Sequence, residues 1–150
     1  MDIEYNLWGT GWATATIRSG DGYVEALTSY VHNSLRELVQ AAIHLCNHAP
    51  ETTVVFMNEP GEHHLVLTRR EGIQLHFEVR WFRDWTSWGL CPPDQYRVEL
   101  HGSTTVEQFR DQVLTVLENI DRTLGPKQYR EEWVEADFPS AEYETLRGLK

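Results

Sequence analysis

The chain has 150 residues, of which 41% are hydrophobic and 24% charged, and these ordinary globular values exclude a disordered or membrane-embedded protein. A domain of this length buries roughly 70% of its unfolded surface, so we expect residues 1–150 to form a single domain. The net charge of −10 predicts repulsion from nucleic acid and from anionic membranes, and it favours a basic protein partner.

The sequence carries neither a targeting signal nor a cysteine motif. No apolar run approaches the roughly 20 residues that span a bilayer, and the acidic start Met1-Asp2-Ile3-Glu4 lacks the basic region of a signal peptide. We therefore expect a soluble, cytoplasmic protein. The spacing of the two cysteines, Cys46 and Cys91, indicates neither a zinc site nor a redox pair.

An N-terminal hairpin is the first predicted element. Residues 12–17 alternate and are rich in Thr, and the turn Ser19-Gly20-Asp21-Gly22 leads into a second strand, residues 23–30. The first helix is predicted to begin at Ser34-Leu35-Arg36-Glu37, which has the pattern of a capping box, and to end near Asn47.

Four further strands are predicted in the middle of the chain, over residues 53–58, 63–69, 73–82 and 96–101. The third of them alternates most clearly, and a strand with one polar face belongs to a sheet that is covered on one side. Its apolar face is Ile73, Leu75, Phe77, Val79 and Trp81, and its polar face is Gln74, His76, Glu78 and Arg80.

A second helix begins at the capping box Thr104-Thr105-Val106-Glu107 and ends at Gly125-Pro126, which is a strong stop signal. The acidic tail, residues 127–150, carries aromatic residues and is expected to pack on the domain, with a short helix after Pro139. The fold class is therefore α+β, with an antiparallel sheet of about six strands in ββαββββα order, two long helices on one face and a short C-terminal extension. The predicted core residues are Leu38, Ile43, Phe77, Val79, Phe109, Val113 and Leu117.

The register between the last two strands can be predicted from charge. Placing Arg80 opposite Arg97 would also set Glu78 against Glu99, whereas a shift of two residues either way pairs opposite charges. We expect the shifted register. This polar face is either a solvated ladder that helps pairing or a binding surface.

No catalytic or metal-binding motif accompanies the fold. His44 and His48 lie one helical turn apart, but near a helix end, where partly charged imidazoles also suit the helix dipole. His63 and His64 are adjacent on a strand and therefore point to opposite faces. A nucleophile elbow is absent, and Gly9-Thr10-Gly11 precedes a strand rather than opening a helix. We therefore predict no catalytic residue, no metal and no cofactor.

The loop from Arg83 to Gln95, here called the Trp loop, is the first choice for a functional surface. Tryptophan is enriched in binding hot spots, and loops on rigid scaffolds often carry function. Long loops also fold aromatic residues back over a sheet end, so packing is an equal alternative. The candidate binding residues are Trp81, Trp85, Trp88, His76, Glu78 and Arg80.

The element order, together with Glu59-Pro60-Gly61-Glu62, Arg80-Trp81-Phe82 and the late Tyr129…Trp133…Phe138-Pro139 run, resembles a family of uncharacterised small bacterial proteins. The resemblance spans most of the chain, and its motifs are structural and imply no activity. Small acidic α+β proteins of this kind are also similar in general character to the immunity proteins of bacterial toxin systems.

The leading hypothesis is a non-enzymatic protein-binding module, immunity-like, whose acidic surface and Trp loop meet a basic partner. One alternative is a small-molecule-binding or enzymatic domain with a pocket between the sheet and the tail. Another is a structural homodimer formed through a sheet face. A closed pocket with convergent polar groups would favour the small-molecule alternative, whereas a flat exposed aromatic patch would favour partner binding.

Overall fold

Two antiparallel sheets and four helices make up residues 1–149, the part of the chain that the computed structural model describes. The first sheet has three strands in the order β1-β2-β3. The predicted hairpin corresponds to β2 and β3, and β1 precedes it. The three strands are β1 (Asp2–Gly9), β2 (Trp12–Ser19) and β3 (Gly22–Ser29).

The second sheet is the predicted four-stranded meander, in the order β4-β5-β6-β7. The α+β class is thereby confirmed, but the single sheet of about six strands is wrong, because no strand of the hairpin pairs with the meander. Seven strands form two separate sheets. The four strands of the second sheet are β4 (Glu51–Met57), β5 (Glu62–Arg69), β6 (Gln74–Phe82) and β7 (Arg97–Thr105).

The hairpin packs against the second sheet instead of extending it. A Cβ atom at Gly22 would lie 2.9 Å from Leu100 Cδ1, and one at Gly102 would lie 2.8 Å from Ser19 Oγ and 3.0 Å from a ring carbon of Phe77. A Cβ atom at either position would therefore have to displace one of these neighbouring side chains. The turn of the hairpin therefore lies directly on β7.

The tail contains two helices, so the prediction of two long helices with a short extension is incomplete: the short helix expected after Pro139 is present, and the helix over Gly125–Trp133 was not predicted. Helix α1 begins at Ser34, but its N-cap is Asn33, whose side chain accepts a hydrogen bond from the Arg36 amide. No helix within residues 1–149 is long and apolar enough to cross a membrane. The four helices are α1 (Ser34–Cys46), α2 (Val106–Thr123), α3 (Gly125–Trp133) and α4 (Ser140–Arg147).

The predicted capping box of α1 serves the neighbouring strand. Ser34 Oγ donates to the carbonyl of Val55 at 2.7 Å, and the Val55 amide donates to Glu37 Oε1 at 2.5 Å. Side chains that would have capped their own helix therefore satisfy the backbone at the outer edge of β4.

One hydrophobic core joins both sheets and all four helices, and it includes Tyr129, Trp133 and Leu146 from the tail. Ile73 was predicted to face this core, but it precedes β6 and is 58% exposed. Most of the predicted core residues are completely buried, and Ile43 is partly buried. The completely buried ones are Leu38, Phe77, Val79, Phe109, Val113 and Leu117.

Replacing Phe77 with Ala is expected to lower the free energy of unfolding by about 3 to 5 kcal/mol, because the ring is completely buried and its loss leaves a cavity. Replacing the exposed Ile73 with Ala should change it by no more than about 0.5 kcal/mol. Urea unfolding of both variants measures the difference, and equal losses would show that the core does not lie on this face of β6.

Candidate functional site

A bulge in β7 shapes the end of the second sheet. Along the first part of β6 the register is the predicted shifted one, with Glu78 opposite His101. Further along, Arg80 lies opposite Val98, so Glu99 has no opposing residue. One of the two shifted registers would set Arg80 opposite Glu99, but the bulge prevents this pairing, and the Glu99 side chain reaches the core-facing side of the sheet.

Glu99 joins a chain of polar groups there. Its Oε1 lies 2.7 Å from Nε2 of His63, and its Oε2 accepts a hydrogen bond of 2.6 Å from Nη2 of Arg97. The imidazole of His63 also packs on the ring of Trp81, with centroids 4.7 Å apart. A carboxylate, an imidazole and an aromatic ring thus come from three neighbouring strands.

Burial and hydrogen bonding together set the protonation states of His63 and Glu99. It lowers the pKa of His63, and the hydrogen bond to Glu99 offsets only part of that effect. Burial raises the pKa of the Glu99 carboxyl, but the hydrogen bonds from Arg97 and His63 outweigh it and hold that pKa below its usual value. Because a carboxylate only accepts, Nε2 of neutral His63 carries the proton, and the buried Nδ1 has no partner.

These residues form the floor of a cleft between the two sheets, with a volume of about 490 Å³. Its wall is β3, which crosses beside the uncovered end of the second sheet. The structure therefore contains a concave site, but between the sheets rather than between sheet and tail. The cleft is lined by Tyr23, Val24, Glu25 and Leu27 on β3, and by Asn58, His63, Trp81 and Glu99 on the other side.

The opposite face of the same sheet end carries a buried carboxylate. Glu62 is completely buried and accepts hydrogen bonds from the Ser87 amide at 3.0 Å and from the Ser87 hydroxyl at 2.6 Å, and it also contacts His64 Nε2. Burial raises the pKa of Glu62, but the hydrogen bonds from His64 and Ser87 outweigh it and hold the pKa below its usual value. This carboxylate fixes the Trp loop to β5.

The Trp loop buries one tryptophan partly and exposes the other. The indole N–H of Trp85 donates to the carbonyls of Asn58 at 2.7 Å and of Gly61 at 3.1 Å. Trp88 packs edge-on against Trp85, with centroids 4.6 Å apart, and remains 58% exposed. Leu90 is 60% exposed. Trp85 therefore packs against the turn of residues 58–61, whereas the side chains of Trp88 and Leu90 face solvent. These two exposed residues are here called the Trp patch.

The other candidate residues lie elsewhere. His76, Glu78 and Arg80 are on the outer face of the second sheet, where Arg80 Nη2 donates to Glu78 Oε1 at 2.9 Å. The Arg80 guanidinium also lies over the ring of Tyr96, 4.4 Å from its centroid. Because Trp81 faces the cleft, the six residues do not form one site. They are divided among the outer face, the Trp loop and the cleft.

The histidines near the end of α1 stand alone. His44 and His48 are both exposed, and within residues 1–149 no three His, Cys, Asp or Glu side chains are grouped to hold a metal ion. The two cysteines are free. His63 and His64 do point to opposite faces, one to Glu99 and the other to Glu62.

Sequence reasoning missed His63, Glu99 and Glu62 as site residues. The alternation of faces at His63 and His64 was a usable signal, since each imidazole could have been given a carboxylate partner on its own side. No comparable signal announces the bulge at Glu99, because it depends on backbone pairing between β6 and β7.

Comparisons with known protein families, with curated protein sequences and with solved structures found no match for this chain. The resemblance to small bacterial proteins and to immunity proteins therefore stays a hypothesis. What the chain binds has to be inferred from its own residues.

Lowering the pH should destabilise the fold in two stages. His63 has a lower pKa in the folded than in the unfolded chain, so stability begins to fall below about pH 6.5, where the unfolded chain binds more protons. Glu62 and Glu99 also have lowered pKa values, and they add a second loss below about pH 4.5.

Urea unfolding between pH 7 and pH 3.5 measures this dependence. Glu62→Gln should be less stable than the parent at pH 7 and should lose less stability on acidification, because the amide cannot be protonated in this range. Glu118→Gln, at an exposed position on α2, is the matched control. Equal pH profiles for the parent and Glu62→Gln would contradict the role given to the buried carboxylate.

Proposed function

We propose that the protein is a non-enzymatic binding module that holds a basic protein partner at the Trp patch. The observation that carries this proposal is the exposure of Trp88 and Leu90 on a loop that is fixed from below. Large aromatic side chains at the centre of an interface supply much of its binding energy.

The loop is organised before any partner arrives. Ser87 is bound to Glu62, Trp85 is bound to two carbonyl groups of the preceding turn, and the Leu90 amide donates to the Trp85 carbonyl at 2.9 Å. A loop that is already ordered loses little conformational entropy on binding, so more of the contact energy appears as affinity.

Charge near the patch favours a basic partner. A depression of about 250 Å³ beside Leu90 is lined by Glu59, Asp84, Pro60 and Trp85. Across the whole chain 23 acidic residues oppose 13 basic ones. Acidic groups around an aromatic centre steer a basic surface towards it and accelerate association.

The general similarity to immunity proteins adds a class of partner to this proposal. In that version the partner is a bacterial toxin whose basic surface the Trp patch covers. The support is a general similarity: the chain forms a small acidic α+β domain and carries an ordered aromatic loop.

An enzymatic role for the cleft is less well supported by its geometry. Of the two ring nitrogens of His63, Nε2 is bound to Glu99 and Nδ1 is buried. A general base has to reach the proton that it removes, either directly or through one water molecule. With neither nitrogen exposed, the cleft is better suited to binding than to proton transfer.

Replacing Trp88 with Ala should weaken partner binding by about 2 kcal/mol or more, mainly through faster dissociation. The free energy of unfolding should change by no more than about 0.5 kcal/mol, because the side chain is largely exposed. Trp8→Ala is the matched control, since Trp8 is 60% exposed on β1, outside the patch. Trp85→Ala is a poorer test, because that residue holds the loop.

The experiment begins with affinity capture from the source cell, using the parent, Trp88→Ala and Trp8→Ala proteins side by side. The recovered partner is then expressed, and its association and dissociation rates are measured at low and physiological salt. Association should slow as salt rises, since exposed charges are screened beyond about 8 Å at physiological ionic strength. A partner that binds Trp88→Ala as tightly as the parent would refute the proposed interface.

A further inference from the structure

The strand β3 presents an unpaired edge to solvent. It pairs only with β2, through a hairpin whose two-residue loop is Gly20-Asp21. Gly20 has a positive φ of 59°, as the first position of a type II′ turn requires. The flanking pair, Ser19 and Gly22, therefore exchanges hydrogen bonds, and every second residue of β3 after it does the same. The backbone groups of the residues between them point away from β2. These residues are Tyr23, Glu25 and Leu27.

Side chains cover the corresponding edges elsewhere. The Ile3 amide at the edge of β1 donates to Gln112 Oε1 at 2.9 Å, and both backbone groups of Val55 on β4 are bound by α1. The edge of β7 is interrupted by its bulge. Within residues 1–149, no hydrogen bond from another element reaches the backbone of Tyr23, Glu25 or Leu27.

The same three residues form the wall of the cleft. A strand added beside β3 would run along the cleft, and its alternate side chains would point towards the floor. The floor offers the Trp81 ring, which lies beside the hydrogen-bonded pair of His63 and Glu99. The β3 edge can therefore bind the backbone of a ligand while the floor of the cleft contacts one of its side chains.

The charges of the cleft select a cation. Glu25 is exposed and has no ion-pair partner within the described residues, while Glu99 is already bound by Arg97 and His63. The rings of Tyr23 and Trp81 provide aromatic faces on which an ammonium or guanidinium group can lie.

We propose that the cleft binds an extended peptide segment that adds to the edge of β3 and places a Lys or Arg side chain between Glu25 and the Trp81 ring. This site lies apart from the Trp patch and does not depend on it. A second copy of the chain is a poorer occupant. Antiparallel pairing of two β3 edges through their outward-facing residues, with Tyr23 opposite Leu27, would set Glu25 of one copy opposite Glu25 of the other, and β3 carries no basic residue.

The probe is a synthetic eight-residue peptide, as long as β3, in which Thr and Val alternate except for one central Arg. A peptide with a central Glu is its control. Amide hydrogen exchange followed by NMR gives the decisive readout. With the Arg peptide, exchange should slow at Tyr23, Glu25 and Leu27, whereas the amides of Val24 and Ala26, already bound to β2, should change little.

Variants then test the charge and the edge separately. Glu25→Lys should weaken binding of the Arg peptide by about tenfold or more, while Glu118→Lys, with the same change in net charge on α2, should not. Leu27→Pro removes one outward-facing N–H without touching the ladder to β2, so it should keep the fold and weaken binding. Trp88→Ala should leave peptide affinity unchanged, which distinguishes this site from the Trp patch.

Several results would overturn the proposal. Binding without slower exchange at Tyr23, Glu25 and Leu27 would place the peptide elsewhere, and equal affinity for the Glu peptide would remove the preference for a cation. Absence of binding at millimolar peptide would refute the site. Slower exchange that depends on protein concentration without peptide would show that a second copy occupies the edge.

Discussion

The close approach of the N-terminal hairpin to β7 determines the architecture. At Gly22 and Gly102 the two sheets approach so closely that a Cβ atom would displace neighbouring side chains, and the hairpin lies across the meander instead of extending it. This crossing buries the apolar face of β2 and leaves the free edge of β3 beside the end of the second sheet. The cleft exists because two layers cross where one sheet would have been continuous.

A second constraint is electrostatic. A carboxylate with no exposed surface, such as that of Glu62, is tolerated only when hydrogen bonds replace the water that it has lost. Ser87 and His64 supply those bonds, so the Trp loop is held to β5 by the cost of leaving Glu62 unsatisfied. The Trp patch is therefore held in place by the hydrogen bonds between Ser87 and the Glu62 carboxylate beneath the loop.

Much of the fold could be predicted from sequence because alternation and helical spacing report which side of an element is buried. Phe77 and Val79 are buried as expected. The same patterns do not say which strands share an edge, so one sheet was predicted where there are two, and β1 was missed. The capping pattern at Ser34 and Glu37 was ambiguous, because these side chains satisfy either their own helix or a neighbouring strand.

The candidate site was harder to predict. Trp81, Trp85 and Trp88 are close in sequence, yet Trp81 faces the cleft and the others belong to a loop on the opposite face. Proximity along a strand does not imply a shared surface, since successive side chains alternate. The bulge at Glu99 depends on how β6 and β7 pair, so it cannot be predicted from the sequence of either strand alone.

The alternation at the start of β5 also limits which insertions and deletions evolution can accept. Exposed turns usually tolerate a change in length. The turn of residues 58–61 is an exception, because the Trp85 indole spans it and because a one-residue slip would exchange the faces of His63 and His64. The slip would also turn Glu62 towards the cleft side, so the Trp loop would lose its buried carboxylate. Natural length variation should instead be found in the exposed turn at residues 70–73.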